Sequence, residues 1–318
     1  MTTAAQQQPS GAPSPPASIE AVNVSRWYGN VVTVNDISFS LGPGITGLLG
    51  PNGAGKSTIL HMAAGFLRPS KGTVRVASGP AWRNPEMYRD VGLVPEKESA
   101  YLFLTGYELV LLCAKLYGLS DPAAAADRAV RAVGMEAAQD RRVGGYSKGM
   151  RQRIRIAAAI VHDPQILLLD EPFSGTDPAL RLQMMDLLRR MADEGRTIVF
   201  SSHILDEVER LAQNVLVIVA GRLVASGDFH AIRRLMTDRP HTFTVHSSDN
   251  RGLAVALVAE ESVIGVELAD EHLTVRTSQF ADFTRAAPRI AKAEGITLRE
   301  LLPTDESLES VFSYLVKR

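Results

Sequence analysis

The chain has 318 residues, a length at which about two domains of roughly 150 residues each are expected. Its 34 lysine and arginine residues nearly balance its 35 aspartate and glutamate residues, so the net charge is -1. This balance argues against a protein whose main task is to coat nucleic acid or an anionic membrane, and the single cysteine excludes a disulfide framework within the chain.

The first segment, residues 1–18, is rich in alanine, glutamine, proline and serine. Such a segment buries too little apolar surface to offset the cost of ordering it, so we predict that it is disordered. It has no lysine, no arginine and no apolar run, so no secretory signal is visible. No window of the chain reaches the roughly 18 apolar residues that a membrane span needs, and we expect a soluble, cytoplasmic chain.

Residues 20–48 alternate apolar and polar positions around turn signals, which predicts strands and hairpins. Residues 50–57 then fit the pattern G-x-x-x-x-G-K-[S/T], between an apolar strand at 45–49 and a helix that begins near Lys56. Glycines let backbone N–H groups turn toward phosphate oxygens, and the helix N-terminus favours the same anion. Lys56 adds a positive charge at the β- and γ-phosphates, and the Ser57 hydroxyl can bind Mg²⁺.

The middle of the chain alternates helices and short apolar strands. Residues 106–160 are mostly helical, and the runs at 166–169, 197–201 and 215–219 are typical of strands buried on both faces. This alternation predicts an α/β fold with parallel strands and helices on both faces of the sheet.

A carboxylate pair ends the run at 166–169. Asp170 can help to hold Mg²⁺, and Glu171, which points elsewhere, can polarise a water molecule. A polar pair that merely ends a strand is the alternative for this segment alone. Together with the glycine-rich loop, the pair indicates a nucleoside triphosphatase.

The pattern changes near Arg239-Pro240. Strands are predicted at 242–246, 262–268, 272–277 and 297–302, and helices at 251–260, 280–294 and 307–317. The order βαββαβ suggests a small ferredoxin-like module followed by a last helix. No residue cluster in this module suggests a ligand site.

Four further segments indicate which family of nucleoside triphosphatases the chain resembles. They are Trp-Tyr-Gly at 27–29, Tyr-Ser-Lys-Gly-Met-Arg-Gln-Arg at 146–153, Ser-Gly-Thr-Asp-Pro at 174–178 and Phe-Ser-Ser-His at 200–203. In this order they resemble the A-loop, the signature motif, the D-loop and the H-loop of ATP-binding cassette (ABC) ATPases. The resemblance covers about residues 19–235, and it implies ATP and Mg²⁺ as cofactors.

The resemblance also implies the domain layout. A P-loop NTPase cassette, with a RecA-like core, an antiparallel β subdomain and a helical subdomain at about 97–162, is expected at 19–238. A C-terminal α+β accessory domain is expected at 239–318.

Site residues follow from the same resemblance. Tyr28 would stack on adenine, Glu171 would be the general base, and His203 would contact the γ-phosphate. The implied nucleotide-binding residues are Tyr28, Gly50, Pro51, Asn52, Gly53, Ala54, Gly55, Lys56, Ser57, Thr58, Ser147 and Gly149. The implied metal-binding residues are Ser57, Asp170 and Glu96. The alternatives are a half-buried strand aromatic for Tyr28, a helix-start histidine for His203 and a surface carboxylate for Glu96.

The sequence departs from the family pattern at four positions. Lys148 and Met150 replace Gly and Gln of the usual signature, Glu96 stands where Gln is usual, and Thr176 stands where Leu is usual. The sequence offers no physical account of Thr176. The basic run from Arg141 to Arg155 is expected to be a solvated or ATP-facing surface, with a nucleic-acid patch as the alternative.

The expected function is that of the ATP-binding and hydrolysing subunit of an ABC transporter of the export type. Its partners would be a second cassette, whose nucleotide Ser147 and Gly149 would face, and a separate membrane permease that holds the chain at the inner face of the membrane; nucleic acid is not expected. The apolar loop Tyr101–Leu104 either docks on the permease or folds back onto the helical subdomain. The alternatives are a soluble ABC ATPase acting on the ribosome or DNA, and a regulatory protein that binds ATP without turnover.

Overall fold

The computed structural model describes residues 18–77, 79–97, 101–228, 241–269 and 271–303. The predicted disordered segment lies outside these ranges except for its last residue, and so do the helix predicted at 307–317 and the domain boundary predicted at 238/239. The described residues fall into two compact units. The first comprises the residues up to 48 together with 52–201 and 220–222, and the second comprises 49–51, 202–219 and the residues from 223 onward.

Strands and helices alternate through the region predicted to be the cassette. The strands are β1 (Ile19–Tyr28), β2 (Val31–Leu41), β3 (Gly44–Leu49), β4 (Lys71–Val76), β5 (Gly79–Pro80), β6 (Val91–Val94), β7 (Ile166–Asp170), β8 (Thr197–Ser202), β9 (Asn214–Val219) and β10 (Arg222–Gly227). The helices are α1 (Lys56–Ala63), α2 (Gly106–Leu116), α3 (Pro122–Ala132), α4 (Lys148–Ile160), α5 (Pro178–Asp193) and α6 (Leu205–Leu211).

Two sheets form the framework of the first unit. One is antiparallel, with the strand order β2-β1-β4-β5, and the other contains β3, β8, β7 and β6 in this order. Strands β6, β7 and β8 are parallel. Their register places Asp170 beside Ser201 at the carboxyl end of the sheet, which is where ligands bind in open α/β sheets.

Burial explains why β7 is a strand and where it ends. All five of its residues are buried, and Leu167, Leu168 and Leu169 have no exposed surface. Burying each leucine is worth about 1.5–3 kcal/mol. The buried strand thus fixes the position of its last residue, Asp170, at the carboxyl end of the sheet.

The helices expected in the helical subdomain are α2, α3 and α4. Helix α4 is capped by Ser147, whose side-chain oxygen accepts a hydrogen bond from the backbone N–H of Met150 at 3.2 Å. Its apolar face, which includes Ile154 and Ile156, is buried.

The C-terminal part folds around its own core. Its elements are β11 (His241–Ser247), α7 (Asn250–Val258), β12 (Val263–Leu268), β13 (Leu273–Thr277), α8 (Phe280–Ala293) and β14 (Leu298–Pro303). The predicted order βαββαβ is observed, with each end within two residues of its expected position. The four strands form an antiparallel sheet in the order β12-β13-β11-β14, and its core includes Phe243, Val245, Leu273 and Phe283.

Candidate functional site

The glycine-rich loop between β3 and α1 has a shape that only glycine allows. Gly53 and Gly55 have φ angles of +80° and +105°. A Cβ atom on Gly55 would lie 2.6 Å from the backbone oxygen of Thr33, so both the backbone angle and the neighbouring strand exclude a side chain there. Helix α1 starts directly after this glycine, so the backbone N–H groups of its first turn lie at the end of the loop.

Lys56, the first residue of α1, is buried and faces carboxylates. Its Nζ lies 3.8 Å from Oε1 of Glu171. Burial lowers the pKa of Lys56, while the negative charges of Glu171, Asp170 and Glu96 act in the opposite direction. A phosphate group placed at this cation would add negative charge and favour its protonated form.

Ser201 joins the two carboxylate residues that the sequence singled out. Its hydroxyl donates to Oδ1 of Asp170 at 2.6 Å and accepts from the backbone N–H of Glu171 at 2.9 Å. Ser201 has no exposed surface, and Asp170 is 2% exposed. Ser201 belongs to the H-loop segment of the sequence, where no role was predicted for it. A polar residue at the end of a buried strand is the sequence feature that indicates such a role.

Glu171 leaves the strand in a strained conformation, with φ of +50°. A non-glycine residue in this region costs about 1–3 kcal/mol and is common at functional sites. Its carbonyl accepts a hydrogen bond from the N–H of Ser174 at 3.2 Å, which starts the turn toward α5. From this conformation the Glu171 side chain reaches to 3.8 Å from the Nζ of Lys56.

Thr176 has a structural role that the sequence did not reveal. Its side chain is buried, and its hydroxyl donates to the backbone oxygen of Phe173 at 2.6 Å. A leucine at this position has no hydroxyl to close the turn. The loop then ends at Asp177, which caps α5 by accepting from the N–H of Leu180 at 2.9 Å.

Lys148, the first residue of α4, packs its side chain against the same loop. Its Nζ is 3.4 Å from the Ser174 hydroxyl, and a Cβ on Gly175 would lie 2.5 Å from the Cδ of Lys148. The lysine stem therefore fills the space that Gly175 leaves open. Two residues of the signature were predicted to bind nucleotide. Ser147 caps α4 through its hydroxyl, and Gly149 packs against Leu180.

The other predicted site residues lie on separate elements. Glu96 follows β6 by two residues and is exposed, and His203 directly follows β8 and is also exposed. Tyr28, at the end of β1, is 48% exposed, and the guanidinium of Arg26 lies 4.5 Å from its ring centroid. Ser57 and Thr58 lie in the first turn of α1.

The expectation that the basic run is surface is wrong for Arg155. This side chain is only 8% exposed. Other members of the run are held by backbone oxygens, since Arg153 donates to Gly134 and Arg141 donates to Gly145. These three arginines therefore all make contacts with backbone carbonyls.

The donor set near Lys56 suits Mg²⁺ bound together with a phosphate. Mg²⁺ is usually held by one or two carboxylates plus substrate phosphates and water, not by an all-protein cage. Asp170 offers a carboxylate with one oxygen already oriented by Ser201, and Ser57 offers a hydroxyl. Among the described residues there is no group of three or more His, Cys, Asp or Glu side chains that could hold a metal without the nucleotide.

An apolar groove lies beside the segment that carries Glu96. Its volume is about 530 Å³, and its lining includes Phe66, Pro95, Tyr101, Tyr117 and Arg155. Next to it, Tyr101, Leu102 and Phe103 are 58%, 56% and 68% exposed. The loop therefore does not fold back to bury these side chains. No helix within the described ranges combines the length and apolar character needed to cross a membrane.

Comparison with known proteins gives consistent matches. Residues 34–174 match the model of a family described as ABC transporter. The bacitracin transport ATP-binding protein BcrA of Enterococcus faecalis is 33% identical, over 94% of this chain and 96% of its own length. The daunorubicin/doxorubicin resistance ATP-binding protein DrrA of Streptomyces peucetius is 32% identical, over 94% and 92%. The Nod factor export ATP-binding protein I of Rhizobium leguminosarum bv. viciae is 37% identical, over 70% and 73%.

Solved structures give the same result for the fold. The ATP-binding subunit of an ABC transporter is 30% identical and superposes with a TM-score of 0.63, covering 68% of this chain and 92% of that one. A nucleotide-free ATP-binding cassette from an ABC transporter, 21% identical, superposes with a TM-score of 0.60 over 67% and 91%, which shows the fold alone.

Proposed function

Because the chain belongs to the ABC transporter family, as an ATP-binding subunit with ATPase activity, we propose that hydrolysis takes place at the Lys56 site and drives export through a separate membrane permease. The observation that carries this proposal is the arrangement of Lys56, Glu171 and Asp170: a buried cation 3.8 Å from one carboxylate, with the other oriented through Ser201. Phosphoryl transfer depends mostly on such positioning and charge stabilisation.

In this proposal the residues of the loop, Gly50 to Thr58, surround the phosphates of ATP, with Lys56 at the β- and γ-phosphates. Ser57 and Asp170 would hold Mg²⁺, and Glu96 would belong to its outer shell. When bound, Mg²⁺ neutralises charge that develops on the phosphate oxygens. Tyr28 stacks on adenine with the ring face that Arg26 does not cover.

Glu171 takes the proton of the attacking water. The water oxygen forms a bond to the γ-phosphorus, the bond from that phosphorus to the bridging oxygen breaks, and the products are ADP and phosphate. Without nucleotide, Glu171 neighbours Lys56. When the phosphates take over this cation, the Glu171 carboxylate becomes available to the water. His203 contacts the γ-phosphate.

Ser147 and Gly149 face the nucleotide of a second cassette. Both lie at the start of α4, where backbone N–H groups can meet an anion. The relatives named for bacitracin transport, drug resistance and Nod factor export support the export direction. The exposed apolar loop at 101–103 and the groove beside it support permease docking, and this would place the chain at the inner face of the cell membrane.

Two measurements on the purified chain test the hydrolytic proposal: phosphate release from ATP, which the wild type should show, and ATP affinity, measured by equilibrium dialysis. Lys56→Ala should weaken ATP binding by about 10- to 100-fold, because it removes a charge-assisted contact worth about 1.5–3 kcal/mol. An ATP affinity that Lys56→Ala leaves unchanged would refute the placement of the phosphates.

Co-purification from detergent-solubilised membranes tests the transport proposal. The tagged chain should bring an integral membrane protein with it, and Leu102→Ser should reduce the yield of this protein. Leu182→Ser is the matched control, because Leu182 is a similarly exposed leucine on α5. Absence of any membrane partner, or equal loss with both variants, contradicts docking at this loop.

A further inference from the structure

Arg155 is a buried arginine that holds the chain on both sides of Glu96. It lies on α4 and donates to the backbone oxygen of Pro95 and, at 3.0 Å, to that of Lys97. A third bond goes to the side-chain oxygen of Gln152, one turn earlier on the same helix, at 2.7 Å. The guanidinium therefore fixes the backbone of the residue between the two carbonyls.

This arrangement requires an arginine. The guanidinium is planar and presents several donors in a fixed fork, whereas a lysine ammonium is a single point on a flexible stem. Strand β6 ends at Val94, so the carbonyls of 95 and 97 lie beyond its hydrogen-bonded part. The contacts with Arg155 take the place of ladder hydrogen bonds on either side of Glu96.

The contact connects three parts of the first unit. The charge of Glu96 acts on Lys56 in the phosphate site. Arg155 lies eight residues after Ser147, which is about 12 Å along one rigid helix. Pro95 and Arg155 also line the apolar groove beside Tyr101.

We propose that Arg155 is a positioning residue that acts through Glu96 on the phosphate site. The inference rests on the proposed function, because it assigns a role in hydrolysis to Glu96. It assigns a role to a residue that the family resemblance did not indicate. It also predicts that the effect of replacing Arg155 on kcat depends on the presence of Glu96, which would not hold for a purely structural arginine.

A double-mutant cycle tests this dependence in the full-length chain. We compare kcat for ATP hydrolysis in the wild type, Arg155→Ala, Glu96→Ala and the double variant. Arg155→Ala should lower kcat by about 10-fold or more, as the loss of a residue that orients a site group commonly does. In the Glu96→Ala background the same substitution should change kcat by less than about twofold, because the group it positions is gone.

A second readout does not depend on activity. Hydrogen exchange at the amides of Glu96 and Lys97, measured without nucleotide, should accelerate in Arg155→Ala and remain at the wild-type rate in Arg131→Ala. Arg131 is an exposed arginine on α3 and serves as the matched control. Arg155→Lys, which keeps the charge but not the fork, should show intermediate exchange and kcat, and it replaces the alanine variant if that variant does not fold.

Equal loss of kcat in both backgrounds, or unchanged exchange at Glu96 and Lys97, would overturn the proposal. These results differ from failure of the proposed function, which would show as a wild-type chain that releases no phosphate from ATP. In that case the exchange measurement still decides whether Arg155 holds the segment.

Discussion

Replacing Ser201 by alanine separates the positioning of the carboxylates from the overall stability of the sheet. The substitution removes one hydroxyl that serves both Asp170 and the N–H of Glu171. A hydrogen bond to a charged group contributes about 1.5–3 kcal/mol, and a buried donor left without a partner costs about 1–3 kcal/mol. Since the two effects overlap, we expect Ser201→Ala to lower the free energy of unfolding by about 2–5 kcal/mol.

Activity should fall by more than the folded fraction explains. Without Ser201, the Asp170 carboxylate and the strained backbone of Glu171 lose their shared partner, so kcat should drop by about 10- to 100-fold. The KM for ATP should change little, because Lys56 and the glycine-rich loop remain. Stability can be followed by tryptophan fluorescence, since both tryptophans, Trp27 and Trp82, lie in the same unit as Ser201.

Thr197→Ala is the control for this experiment. Thr197 lies at the other end of β8, about 13 Å away, and is 1% exposed. Its hydroxyl also makes a hydrogen bond, which it donates to the Ser18 hydroxyl at 2.8 Å. We expect a loss of stability but a kcat near that of the wild type. If Ser201→Ala kept the wild-type kcat once corrected for folded protein, the reasoning that links Ser201 to the orientation of Asp170 and Glu171 would be refuted.

Three further predictions concern single positions. Thr176→Val should lower the free energy of unfolding by about 1 kcal/mol, because it loses the turn-closing hydrogen bond, whereas Thr176→Ser should keep this bond and the wild-type stability. Equal midpoints of urea unfolding for Thr176→Val and Thr176→Ser would contradict this. Gly55→Ala should abolish measurable ATP binding, because its Cβ would meet the Thr33 oxygen; an affinity like that of the wild type in equilibrium dialysis would exclude this loop geometry. Burial lowers the pKa of His162, so its contribution to stability is present above about pH 6.5 and is lost as the pH falls. His162→Phe should flatten the pH dependence of the unfolding midpoint between about pH 7.5 and 5.5, and an unchanged slope would show that another group titrates.

The local features of the site could be predicted from the sequence. The glycines and the lysine that predict the phosphate loop lie within eight consecutive residues. The apolar run before Asp170 is enough to predict the strand that this residue ends. The same holds for α4, since its cap, Ser147, and its buried face lie within one segment. Each of these signals depends on neighbours in the chain, where periodicity is informative.

Contacts between distant segments could not be predicted in this way. The Ser201 hydroxyl meets Asp170 across 31 residues because of the strand register, and Arg155 meets Lys97 across 58. One signal was present for Arg155, because it stands on the buried face of α4 between Ile154 and Ile156. A charged residue on such a face indicates a buried polar partner, but the identity of the partner depends on tertiary packing.

Hydrolysis by Glu171→Gln is the most direct test of the site assignment. The amide keeps the shape of the side chain but cannot take the proton of the attacking water, so phosphate release should fall by about 100-fold or more. ATP affinity, measured in parallel by equilibrium dialysis, should be retained, because the glycine-rich loop and Lys56 are unchanged. A rate of phosphate release equal to that of the wild type, with ATP still bound, would contradict the role of Glu171 as general base.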